Sequence, residues 1–345
     1  MTNPLAADTA KTEDVTGSTE PARIPRIDLI DQLRGAALVA MAIYHFTWDL
    51  EFFGYIEPGT AGTGGWKLFA RLIAGSFLFL AGVSLVLGHG RGLRWRPFLI
   101  RLAKIAGAAL LITVATRFAF PDNFIFFGIL HFIAAASLVG LVFLHLPVAI
   151  TVMAAAAAFL APLYLRSAAF DHPALWWVGL SASVPRSNDY VPLLPWLAAF
   201  LLGIAVCRSI LSRGLAGRLA AVGAIPSRWK TLLTKAGRHS LAIYLLHQPI
   251  LIALVYGFSL VMPPAQPDPV ENYRTSCVSV CEPDGGTPFC RAFCDCTLNR
   301  LIEQDLFDAL NRGAIDTAND QRIAGISAQC TAEADINSLP GSGEK

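Results

Sequence analysis

The feature that most constrains this chain is the length of its apolar runs. A helix that crosses a bilayer needs about 20 consecutive, mostly apolar residues, and a soluble core does not call for runs of that kind. Seven candidates follow one another: residues 29–53, 68–87, 98–118, 124–144, 147–165, 191–206 and 241–262. The fourth and fifth are separated only by His145-Leu146-Pro147, which predicts a tight turn. The bulk numbers agree. Of 345 residues, 54% are hydrophobic and 15% charged, and the mean hydropathy is +0.52. A soluble domain is nearer a quarter charged. The net charge of +2 gives no reason to expect nucleic acid as a partner. The pattern predicts an all-α membrane protein, a polytopic bundle of about seven transmembrane helices, with membrane lipids as its surroundings.

Orientation follows from where the basic residues fall, because cytoplasmic loops carry an excess of Lys and Arg. Arg23 and Arg26 precede the first run. Arg91, Arg94 and Arg96, then Arg101 and Lys104, follow the second. Arg208, Arg213, Arg218, Arg228, Lys230, Lys235 and Arg238 lie between the sixth and seventh. With seven spans these three regions share one side. The opposite loops hold Glu51 and Glu57 before Lys67, and Arg166 and Arg186 against Asp171 and Asp189. The expectation is an inner (cytoplasmic) membrane protein with a cytoplasmic N-terminus and a periplasmic or extracellular C-terminus. Residues 1–22 are polar and lack the charged-then-apolar order of a secretory signal, so they read as a disordered tail, and the first helix would act as signal anchor.

Six of the seven cysteines lie beyond the last run: Cys277, Cys281, Cys290, Cys294, Cys296 and Cys330. The topology places them where thiols oxidise. Cys277/Cys281 and Cys290/Cys294 are twin C-x3-C pairs. If helical, each pair lies on one face, and two such helices can be stapled together. Six cysteines allow 15 connectivities. Zinc is the competing reading, but the tail contains no His, and no metal is expected. The organisation predicted is a tail (1–22), a transmembrane domain (23–262) and a Cys-rich extracytoplasmic tail (263–345). Cys207 reads as a packing residue.

Ionisable groups inside a membrane helix are costly and usually face a cavity or a partner. The first run contains Asp31, Arg34, His45 and Asp49. At 100° per residue, Arg34 and His45 point nearly the same way, with Leu38 and Met41 between them. Asp31 is within reach of Arg34 at i, i+3. His45 and Asp49 stand at i, i+4, so a carboxylate–imidazole bond along one face is expected. Such a pair makes a general base, the Asp holding the tautomer. The plainer reading has Trp48 and Asp49 as interface anchors and His45 satisfied within the bundle. His131 in the fourth run is either a further site residue or a structural one. Tyr244 and His247 precede Pro249, whose ring opens the helix hydrogen bonding and suits a polar cavity. Arg91, Arg94 and Arg96, with Trp95 among them, are first of all topology determinants. They also suit the phosphates and base of a nucleotide-bearing ligand. No Gly-rich phosphate-loop motif is present.

The stretch from Arg26 through Asp28, Asp31, Arg34 and Gly35 to Tyr44, His45, Trp48 and Asp49 resembles the bacterial branch of the heparan-alpha-glucosaminide N-acetyltransferase catalytic-domain family. Phe77 to Ser84, Phe127 to His131 and the ending from Ser240 to Pro249 support it, and the likeness spans about residues 23–262. The resemblance implies a membrane O- or N-acetyltransferase that uses acetyl-coenzyme A from the cytoplasm and acylates a sugar hydroxyl or amine of a cell-envelope glycan or glycolipid. On that reading His45 is the base and Asp49 orients it. Arg34, Arg91, Arg94 and Arg96 meet the coenzyme A phosphates, and Trp48, His131, Tyr244 and His247 lie toward the acceptor. The chain departs from the lysosomal members in the loop after the first helix, where residues 61–66 hold no His, and at His45, which falls where those members have Asn. A homo-oligomer is compatible with the sequence. The alternatives are a transporter or channel with an intramembrane His/Arg/Asp pathway, and a membrane anchor for the Cys-rich tail.

Overall fold

A computed structural model describes residues 27–90, 92–223, 227–265, 268–315 and 320–338. Arg91 and the N-terminal tail of residues 1–22 lie outside the described residues. Among those described, every regular element is helical. Each apolar run is a helix: α1 (Asp28–Phe52), α2 (Gly64–His89), α3 (Trp95–Ala119), α4 (Ile129–Phe143), α5 (Val148–Tyr164), α6 (Leu193–Ser212) and, after α7 (Ala216–Gly223) and α8 (Arg228–Arg238), α9 (Ser240–Val261). Four of them, α2, α3, α6 and α9, are long and apolar enough to cross a membrane, and α4 and α5 are shorter apolar helices. α1 is long enough, but Arg34, Tyr44, His45 and Asp49 lower its apolar character.

The start of the fourth helix and the stretch after the sixth run differ from expectation for local reasons. The fourth helix begins at Ile129 rather than near residue 124. Pro121 starts a turn at residues 121–123, and Gly128, in an extended conformation, stands as the N-cap. The basic stretch between the sixth and seventh runs also has more structure than a topology-setting loop. It forms α7 and the amphipathic α8, which lies along α1.

The chain divides into two compact units. The first holds the helices up to Phe52 and residues Ile56–Gly257; the second holds Phe53–Tyr55 and the chain from Phe258. In the first unit, α6 packs against both α2 and α5. A Cβ on Gly82 would run into the Phe200 carbonyl, and one on Gly203 into the Phe79 carbonyl, so these two glycines set how closely α2 and α6 approach. Lipid tails are as apolar as Leu, so close backbone contact of this kind is what draws membrane helices together. Leu78, Val86, Phe132, Ala155, Phe200 and Ile204 fill the core between α2, α4, α5 and α6. Gly35 and Gly237 give α1 and α8 a similar fit, against Leu233 and Asp31. Outward-facing Leu110, Leu111 and Val114 on α3, Met153 and Phe159 on α5, and Ile250 and Leu254 on α9 leave apolar surface for lipid.

The second unit is a disulfide-held helical module. α10 (Pro269–Gly285) and α11 (Thr287–Glu303) form a hairpin stapled by Cys277–Cys294 and Cys281–Cys290. The outer and inner members of the twin motifs pair, as antiparallel helices require. Cys296–Cys330 ties α11 to α13 (Gln321–Ser338), past the short α12 (Phe307–Asn311). Leu298, Leu301, Phe307 and Ile326 form its core. All six tail cysteines are therefore in disulfides, which settles zinc against disulfides for them. Cys207 is a free buried thiol in the first unit.

Candidate functional site

A cavity of about 780 Å³ opens among α1, α2, α3, α4, α8 and α9. Five cations line it: Arg34, Arg96, Arg101, Lys104 and Arg238. Two of them are neutralised locally. Arg34 bonds to Asp31 at 3.0 Å and to Ser84, and Arg238 bonds to Asp28 at 3.0 Å and stands 3.6 Å from Asp31. Among the described residues, Arg96, Arg101 and Lys104 have no carboxylate partner. Partnerless cations beside low-dielectric walls favour an anionic ligand, and charge-assisted hydrogen bonds to phosphate are among the strongest a side chain makes. Ile105, Ile129, Leu130, Ile133 and Leu241 supply apolar wall. The α3 contribution, Arg96, Pro97, Ile100, Arg101, Lys104 and Ile105, follows the three-and-four spacing of one helix face.

Tyr244 lies on the wall of this cavity and leads to a second polar group. Its ring stands 5.8 Å from that of His247, and His247 in turn stands 4.9 Å from His45 of α1, edge to face. Tyr44, whose hydroxyl donates to Ala61 O at 3.3 Å, touches the other edge of His45 at 5.6 Å. Glu51 holds the adjoining loop by accepting from Gly59 N and Ala61 N, both at 2.7 Å. Asp49, wholly buried, accepts from Gln248 Nε2 at 2.7 Å. The expected His45–Asp49 hydrogen bond does not form. The carboxylate is taken across to α9 by an amide, a partner that no spacing along α1 reveals. Three buried acceptor-capable atoms here have no partner among the described residues: Asp49 Oδ2, Gln248 Oε1 and His247 Nε2.

His131 sits differently. Its Nδ1 accepts from the Gly128 backbone N–H at 3.2 Å, which leaves the proton on Nε2, 3.1 Å from Thr113 Oγ1. Thr113 passes its own proton to Ile125 O at 2.7 Å. Both ring nitrogens are thus committed, Nδ1 to the N-cap of α4 and Nε2 to Thr113 on α3. Asp189, in the loop before α6, accepts from Ile129 N at 3.0 Å at the same helix end. A carboxylate there meets the positive end of the helix dipole. Burial nevertheless pushes the Asp189 carboxyl up to about 6, partly offset by the Ile129 N–H. The loop that carries it is tied down by Asn188 N to Asn123 O at 2.9 Å, Val191 N to Phe127 O at 3.0 Å, and Tyr190 Oη to Trp176 O at 2.6 Å.

The structure therefore brings together Arg34, Arg96 and Tyr244 at the cavity, and His45, Asp49, Tyr244 and His247 beyond it. Arg94 turns back to Gly88 O at 3.3 Å and is not on the cavity wall, and Trp48 stacks on Phe52 at 5.2 Å. Arg91 is outside the described residues. Sequence reasoning counted Arg101, Lys104 and Arg238 only as topology determinants, named Asp189 only as a loop charge and gave Gln248 no role. The helical spacing of Arg101 and Lys104 was a usable signal. Gln248 and Asp189 had none.

Residues 26–249 match the family described as "Heparan-alpha-glucosaminide N-acetyltransferase, catalytic". Comparison with curated proteins and with solved structures returns no match. The family match covers well over half of the 345 residues. The chain belongs to that family, and its apolar helices make it a membrane protein.

Proposed function

We propose that this member of the heparan-alpha-glucosaminide N-acetyltransferase family moves an acetyl group from cytoplasmic acetyl-coenzyme A to a sugar hydroxyl or amine of a cell-envelope glycan or glycolipid. The observation that carries the proposal is the cavity with three cations that have no carboxylate partner among the described residues, one aromatic ring away from a pair of imidazoles. Coenzyme A carries phosphates at one end and the reactive thioester at the other. Arg96, Arg101 and Lys104, with Arg34 and Arg238, would hold the phosphates. The apolar walls would pass the acyl arm toward Tyr244, and the His45/His247 pair would manage the acceptor's proton. A volume of about 780 Å³ is within the usual range for a small-molecule site.

The membrane arrangement proposed is seven spans in an inner membrane, formed by α1 to α6 and α9. The basic residues of α3 and α8 support a cytoplasmic donor mouth. The three disulfides support an oxidising compartment for the C-terminal module. The test is acetyl-coenzyme A binding to the detergent-purified full chain by calorimetry. Binding should weaken about tenfold in each of Arg101→Ala and Lys104→Ala, and weaken further as salt is raised. Wild-type protein that does not bind acetyl-coenzyme A but carries ion flux in liposomes would replace this reading with the transport one.

A further inference from the structure

From the hydrogen bonding around α9 we infer that His247, rather than His45, is the imidazole that takes the acceptor's proton, inside a subsite that Asp49 and Gln248 complete. The inference rests on the acetyl-transfer reading above and assigns one chemical step to one atom.

His247 Nδ1 lies 2.8 Å from the carbonyl oxygen of Tyr244. A carbonyl only accepts, so Nδ1 carries the proton and Nε2 carries the lone pair. That Nε2 is buried and has no partner among the described residues. A base needs this state: one tautomer held in place and a lone pair free for the incoming proton. The carbonyl that fixes the tautomer belongs to Tyr244, the residue whose side chain lines the donor cavity. The base and the cavity wall are therefore set by one turn of α9. His45 has no hydrogen-bond partner among the described residues that would fix its tautomer. It packs edge-on against His247 at 4.9 Å and covers one side of it.

The surroundings specify what this base acts on. Asp49 Oδ2 and Gln248 Oε1 are, like His247 Nε2, acceptor atoms that are buried and unpartnered. Leaving such atoms unpaired costs about 1–3 kcal/mol each. The group that completes the subsite brings N–H or O–H protons, as an amine, a hydroxyl or water does, and as a carboxylate or ester does not. Asp49 is held for this by the Gln248 amide at 2.7 Å. In the step, the acceptor's N or O forms a bond to the thioester carbonyl carbon while its proton passes to His247 Nε2. The C–S bond then breaks, and the thiolate leaves with that proton from the imidazolium. The products are the acetylated acceptor and free coenzyme A.

The test uses full-length protein in nanodiscs, with water as the acceptor. It measures acetyl-coenzyme A binding by calorimetry and thiol release by a colorimetric thiol assay. The expected result for His247→Ala is unchanged binding, thiol release lowered about 100-fold or more, and partial recovery with free imidazole. His45→Ala should lower release about tenfold, with no imidazole rescue. If His247→Ala does not fold, His247→Gln of similar reach carries the same comparison. Thiol release in the His247 variants within threefold of wild type overturns the assignment, and so does imidazole rescue confined to His45→Ala. Wild type that binds the thioester without releasing thiol above buffer overturns it too, since a base beside the thioester would activate water. Wild type that does not bind acetyl-coenzyme A sinks the acetyl-transfer reading itself.

Discussion

Gln248 of α9 donates its amide to the buried carboxylate of Asp49 on α1 at 2.7 Å, joining two helices 199 residues apart in sequence. Replacing Gln248 with Leu leaves Asp49 buried without its donor and should cost about 1–3 kcal/mol. In the Asp49→Leu/Gln248→Leu double variant no orphaned carboxylate is left, so the double variant should be more stable than Gln248→Leu alone. Thermal unfolding of the four proteins in one detergent measures the coupling. Strictly additive effects would show that the bond contributes nothing to stability.

The α2–α6 contact depends on two missing side chains. Gly82→Val places a branched side chain where the Phe200 carbonyl already sits, so the helices must part. That variant should be lost from the monodisperse peak on size-exclusion chromatography. Gly75, on the same helix, has nothing within 4 Å of the position a Cβ would take. Gly75→Ala should behave as wild type or gain up to about 1 kcal/mol from helix propensity.

The disulfides of the C-terminal module close loops of different length. Cys281–Cys290 spans 9 residues and Cys296–Cys330 spans 34. In the chain-entropy account the longer loop stabilises by about 1 kcal/mol more. Paired Ser substitutions at 296 and 330 should therefore raise hydrogen exchange in α11 and α13 more than those at 281 and 290. Equal exchange in the two double variants would count against the entropic account here.

Asp189 titrates at about 6 against an ordinary value of 3.8, because burial penalises its charged form. The folded state therefore binds this proton more tightly than the unfolded state. The stability it contributes is present below pH 4, is lost as pH rises through about 6, and changes no further above that. Asp189→Asn removes the titration. The melting-temperature difference between wild type and variant should shift against wild type between pH 4 and pH 6 and be flat from pH 7 to 8. A flat difference across the whole range would show that Asp189 has an ordinary carboxylate affinity.

The helical architecture was legible because a bilayer imposes its demand on consecutive residues. The runs, the three basic clusters and the twin C-x3-C pairs are all local patterns; the stapling of two helices by the twin pairs was readable from one helical turn per motif, while which cysteine meets which was left open among 15 connectivities and was decided by the structure. The start of α4 was misplaced. The apolar Phe124, Phe126 and Phe127 look like helix, while the Pro121 turn and the extended Gly128 N-cap decide otherwise.

The site divides along the same line. Sequence alone determined that α1 carries Arg34, His45 and Asp49 into the bundle and that Tyr244 and His247 sit before a helix-opening Pro249, since these are facts of helical spacing. Only the tertiary structure decided the partners. It gave Asp49 to Gln248 instead of His45, set His247 beside His45, committed the nitrogens of His131 to the N-cap of α4 and to Thr113 of α3, and turned Arg101 and Lys104 from topology determinants into cavity wall. The physical reason is that a hydrogen bond across helices depends on how their faces are rotated and how closely their backbones approach. Here that is fixed by contacts such as Gly82 on Phe200 and Gly35 on Leu233, which no single segment contains.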